Sequence, residues 1–161
     1  MDKRSTNAGF TLLELVLVVL VMGLVLAVSY PALSRGSASI HLRGVGRDIL
    51  STFRYAREKA ITEQRGIQLV ASRERQNLIL ADEFGEGNRT YTMPRDVSIQ
   101  RLSLAGRVMT EDPLVIRFSP NGSSDSAEIL VQSSSGAALR VVSDPITGGA
   151  KILMGPGEGA R

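Results

Sequence analysis

Residues 9–28 read GFTLLELVLVVLVMGLVLAV, and Glu14 is the one side chain among them that can carry a charge. A carboxylate inside an apolar segment of this length costs about 2.5–3.5 kcal/mol on membrane-insertion scales, and a buried one demands a partner cation. The remaining chemistry-bearing residues are sparse. His41 is the single histidine and cysteine is absent, so a zinc site is not expected and His41 reads as a surface residue. Asp82-Glu83-Phe84-Gly85-Glu86-Gly87-Asn88 offers oxygen ligands but lacks EF-hand spacing and reads as a solvated turn. Gly44-Val45-Gly46 has no preceding strand and no phosphate-binding lysine after it, which excludes a nucleotide loop. No serine stands in a nucleophile motif, and His41 is the sole candidate base. Neither catalysis nor a cofactor is expected. The net charge of +3, carried by sixteen arginines and three lysines, is too small to argue for nucleic acid.

The element that must hold Glu14 is an apolar helix. From Phe10 to Val28 it would reach about 28 Å, near the thickness of a bilayer core, so a membrane span is predicted. Lys3 and Arg4 precede it, which predicts a cytoplasmic N-terminus and an outward C-terminal domain. The apolar core is too long for a secretory signal, and Ala32-Leu33-Ser34 is a poor cleavage site. Pro31 marks a kink, because proline removes a helix hydrogen bond. Gly23 reads equally as a flexible point or as a site of close helix approach.

Beyond residues 34–39 a 3.6-residue period begins. Leu42, Val45, Ile49, Phe53, Ala56 and Ala60 form one stripe, while Arg43, Arg47, Arg54, Arg57 and Glu58 fall mostly off it. This predicts an amphipathic helix over residues 40–64 laid on a sheet, with Gly66 as its stop. The period then shortens to that of strands: Ile67–Val70, Leu78–Leu80, Thr90–Met93, Val97–Leu102, Leu114–Phe118, Glu128–Val131, Leu139–Ser143 and Lys151–Met154. Ser119-Pro120-Asn121-Gly122 and Asp144-Pro145-Ile146-Thr147-Gly148-Gly149 supply turns. The fold class is α+β: a long N-terminal helix, half membrane-spanning and half amphipathic, packed on antiparallel sheets.

Gly9-Phe10-Thr11-Leu12-Leu13-Glu14 resembles the processing motif of type IV prepilins and type II secretion pseudopilins. The resemblance implies that a prepilin peptidase cuts between Gly9 and Phe10 and that the new amine of Phe10 is methylated. Glu14, then the fifth residue, would meet the N-terminal amine of a neighbouring subunit during assembly, and Pro31 matches a proline common in these helices. Three later segments resemble the H-type minor pseudopilins, the GspH/FimT-like group: Phe53–Ile61, Ile116–Ser123 and Arg140–Gly148. The implied plan is a leader at 1–9 that is removed, a transmembrane and filament-core helix at 10–31, an amphipathic helix at 32–65, a periplasmic β-rich domain at 66–154 and a flexible tail at 155–161.

The resemblance implies a single-pass inner-membrane protein assembled into a pseudopilus. It would be a structural subunit at or near the tip that helps drive export of folded proteins. Its expected partners are the other minor pseudopilins, the major pseudopilin, the prepilin peptidase and, before assembly, inner-membrane lipid. The alternative is a FimT-like minor pilin of a type IV pilus, which would bring DNA binding; the arginines, however, are spread along the chain and interleaved with acids.

Overall fold

A computed structural model describes residues 10–82 and 89–155, with the side chains of residues 28–39 outside the description. The expected leader at 1–9, most of the acidic loop (83–88) and most of the tail (156–161) lie outside the described residues. The chain divides into two compact units, Met1–Ser37 and Ala38–Arg161. Helix α1 (Leu12–Glu63) is followed by nine strands among the described residues: β1 (Ile67–Ser72), β2 (Asn77–Asp82), β3 (Arg89–Thr92), β4 (Val97–Leu104), β5 (Arg107–Val108), β6 (Leu114–Phe118), β7 (Ala127–Ser133), β8 (Ala138–Ser143) and β9 (Ala150–Met154).

The expectation of a membrane-spanning half is corrected. Among the described residues no helix is long and apolar enough to cross a membrane. Glu14 also stands inside the apolar run, and a carboxylate in hydrocarbon is costly. The single-pass inner-membrane topology, with a cytoplasmic N-terminus and a periplasmic domain, rested on that span and falls with it.

Within Ala38–Arg161 the stripe on α1 does what its period dictates. Leu42, Val45, Ile49, Phe53, Ala56 and Ala60 are all buried in one core. The helix ends one turn before Gly66. Gln64 takes the left-handed conformation (φ 52°) and its Nε2 donates to the Ile61 carbonyl at 2.6 Å, so it satisfies one of the orphan carbonyls itself.

The strands form two antiparallel sheets, one ordered β3-β2-β1-β6 and the other β5-β4-β7-β8-β9. Alternation sends Ile67, Leu69 and Ala71 of β1, Leu114, Ile116 and Phe118 of β6, and Ala127, Ile129 and Val131 of β7 into the core. Phe53 meets Phe118 edge-on, with ring centroids 5.8 Å apart. Against the second sheet α1 comes closer still: a Cβ on Gly46 would lie 2.8 Å from Leu139 Cδ2. β4 carries an irregularity between Ile99 and Arg101. One extra residue there switches the inward parity, so Val97, Ile99 and Leu102 all stay buried.

Candidate functional site

The start of α1 is a built N-terminus. Thr11 Oγ1 accepts the backbone N–H of Glu14 at 3.2 Å, and the Thr11 carbonyl accepts from Glu14 and Leu15 at 3.1 and 3.2 Å. Thr11 is thus the N-cap and Glu14 stands three residues into the helix, the threonine-x-x-glutamate spacing of a capping box. An acid in the first turn is also favoured by the helix dipole. The sequence reading passed over Thr11, although this spacing ahead of an apolar run is itself a helix-start signal. Glu14 is exposed, and no ion pair to it forms among the described residues.

Around that acid the helix offers only apolar surface. The large apolar side chains from Phe10 to Leu26 are exposed, from 41% at Val18 to 80% at Leu12. A continuous apolar surface of that extent marks an interaction site. Phe10 lies just before the helix, Gly9 lies outside the described residues, and Pro31 falls inside α1 with its side chain outside the description.

The other candidates resolve into structural contacts. His41 Nδ1 stands 2.6 Å from Asp96 Oδ2 at the surface. Asp82 is not a loop residue: it closes β2, is buried, and pairs with Arg65 at 3.0 Å. Among the described residues no group of three metal-ligating side chains gathers.

The three later segments singled out in the sequence converge on one spot. From Phe53–Ile61 on α1, Arg57 Nε donates to the Gly122 carbonyl at 3.2 Å. Gly148, from Arg140–Gly148, leaves no room for a side chain: a Cβ there would sit 2.1 Å from that same carbonyl oxygen. Ser124 N–H donates to the Pro145 carbonyl at 3.2 Å. The two turns are thereby tied to each other and to α1.

Sequence reasoning also missed Asp112. It accepts from Ser72 Oγ at 2.7 Å, Arg73 N–H at 2.6 Å and Glu74 N–H at 3.2 Å, latching the β1–β2 turn. Burial pushes its pKa up, but the bonds from Ser72, Arg73 and Glu74 outweigh that and hold it below the ordinary aspartate value.

A capped apolar helix bearing one acid, and a compact unit in which an amphipathic helix covers two antiparallel sheets, define a pilin-like protein. The chain belongs to the family described as type II transport protein GspH, whose sequence profile matches residues 46–147. A prokaryotic N-terminal methylation motif matches residues 4–30. No curated protein matches the chain at a significant level. Two solved structures of the minor pseudopilin EpsH from the type 2 secretion system of Vibrio cholerae share the fold. One aligns with a TM-score of 0.55 at 12% identity, covering 73% of this chain and 98% of the other. The second aligns with a TM-score of 0.58 at 13% identity, covering 73% and 95%. The chain's general role is that of a pilin-type component of type II secretion.

Proposed function

We propose that the chain is a non-catalytic structural subunit of a pseudopilus, acting at or near its tip in the export of folded proteins. On this reading residues 1–9 are a leader, cut between Gly9 and Phe10 by the prepilin peptidase, and Phe10 carries the methylated amine. Residues 10–31 form the filament-core helix with a bend at Pro31. Residues 32–65 continue it as the amphipathic helix, 66–154 make the outer β-rich domain, and 155–161 are a tail. The partners are the other minor pseudopilins and the major pseudopilin.

The observation that carries the reading is the exposed apolar helix with one acid near its start. Packed among copies of similar helices, that surface is covered, and the desolvated carboxylate then needs a cation. The amine of a neighbour's Phe10 supplies one. Glu14 therefore sets axial register by charge, while the apolar residues supply the bulk of the association.

The test places the tagged chain in cells with its secretion apparatus and measures its share in sheared pseudopilus fractions. Glu14→Leu should still lose its leader, yet its share in the filament should fall at least about tenfold, since a lone buried partner charge costs several kcal/mol. Normal incorporation of Glu14→Leu would overturn the charge-pairing role.

A further inference from the structure

The inner face of the five-stranded sheet is left partly open at its β9 edge. β9 pairs with β8 so that Ala150, Ile152 and Met154 stand opposite the buried Ser143, Val141 and Leu139, which puts all three on the inward side. Ala150 and Ile152 pack against the core. Ile152 reaches α1, its Cδ1 lying 3.4 Å from where a Cβ on Gly46 would stand. Met154, the next residue on that face, is 55% exposed.

A cleft of about 380 Å³ opens there between α1 and β9, lined by Ile152, Met154, Arg43 and Arg47. The two arginines stand about one turn apart on α1, on one side of it, and both are exposed. Neither forms an ion pair among the described residues, and Arg47 Nε donates to the Arg43 carbonyl at 3.4 Å. β9 is also the last strand of its sheet. Its outward N–H and C=O groups therefore have no strand partner among the described residues.

We propose that this edge takes an added strand: an extended segment of a partner protein pairs with β9, sets an apolar side chain against Ile152 and Met154, and brings a carboxylate to Arg43 and Arg47. Main-chain hydrogen bonds to β9 supply affinity, and the cleft selects the sequence. Residues two apart on a strand share a face, so the apolar and the acidic side chain of the segment enter the cleft together. The aliphatic stems of the arginines cover the apolar one while their guanidiniums hold the acid. A lipid headgroup would meet the arginines but leave the strand edge unused. A second copy, joined by antiparallel β9 strands about a two-fold axis, would bring both arginine pairs to the same face, where like charges repel. The proposal goes beyond the filament role and stands without it, since binding is read on the unassembled chain.

The experiment uses the full chain in nonionic detergent and a short fluorescent peptide of alternating Thr and Val with Glu in place of the central Val, followed by anisotropy. One twin carries Gln for Glu, and a second Lys for Glu. Two more carry N-methyl groups on one or the other alternate set of backbone amides, of which a single set faces β9. The Glu peptide binds, the Gln twin binds about threefold more weakly, and one of the N-methylated twins loses at least about tenfold. Met154→Ser weakens the Glu peptide. Arg43→Glu combined with Arg47→Glu reverses the preference to the Lys twin, a gain that also shows the variant to be folded. No binding of the Glu peptide, equal binding of all the twins, or a preference that the charge reversal leaves unchanged would overturn the proposal. So would dihexanoyl phosphatidylglycerol binding through Arg43 and Arg47 where the peptide does not, or self-association of the chain that Met154→Ser abolishes.

Discussion

Gln76, at the end of the β1–β2 turn, holds both backbone groups of Ile99 on the other sheet: its Oε1 accepts the Ile99 N–H at 2.7 Å and its Nε2 donates to the Ile99 carbonyl at 3.2 Å. Ile99 stands where the β4–β7 ladder slips by one residue. A bulge disrupts ladder hydrogen bonds, and a side-chain amide has the donor and acceptor to replace them. Gln76→Ala should cost about 1–3 kcal/mol, because buried backbone groups lose their partners. Urea unfolding of Ala38–Arg161, which is compact in its own right, measures this. A change within error would show that water serves Ile99 equally well.

The turn junction makes a second prediction. Gly148 has φ +60° and its Cβ position collides with the backbone oxygen of Gly122. Gly148→Ala combines a disfavoured conformation with a clash against backbone, which cannot give as a side-chain tip can. It should destabilise by more than about 1 kcal/mol. Gly136→Ala is the matched control, with φ +86° but open space around it. A loss at Gly148 no larger than at Gly136 would remove the close contact from the account.

Asp112 predicts how the domain responds to acid. Its pKa is lower in the folded chain than in the unfolded one, so the unfolded state binds a proton first as pH falls. The stabilisation is full above the ordinary aspartate pKa and is lost as pH drops through the folded value. Asp112→Asn should be less stable than the parent at neutral pH, with the gap narrowing on acidification. A gap that stays constant with pH would show that the latch does not depend on charge.

Thr11 predicts a local effect. Loss of the N-cap in Thr11→Ala should cost about 1 kcal/mol at the first turn of α1, while Thr11→Ser keeps the hydroxyl and most of the helix start. Amide hydrogen exchange of Leu13, Glu14 and Leu15 in detergent reads this directly. Unchanged protection in Thr11→Ala would make the cap dispensable.

Local pattern made much of the fold legible. The stripe from Leu42 to Ala60 and the alternation in β1, β6 and β8 follow from one element's own geometry, so periodicity finds them. β5 escaped because two residues, Arg107 and Val108, show no period. The pattern ends β4 at Leu102, although the strand runs on to Leu104 past a bulge between Ile99 and Arg101. Gly66 drew attention as a helix stop by its type, but the reversal falls on Gln64, whose side chain caps the carbonyl behind it. Apolar composition suggests a membrane span, yet no described helix is long and apolar enough to cross: composition sets a limit on reach, not a requirement to span. At the site, Glu14 was visible as an odd charge and Thr11 was not, because the cap shows only as a pair three residues apart. Gln76 and Asp112 act on residues 23 and 40 positions away, which no single-sequence window can see.

On the proposed reading, a Gly9–Phe10 cut frees the amine that Glu14 of a neighbour requires. The intact mass and N-terminal sequence of the protein recovered from cells test it most directly. The expected chain starts at Phe10 and carries one extra methyl group on its amine. A protein that keeps Met1, or one that starts beyond Tyr30, would contradict it.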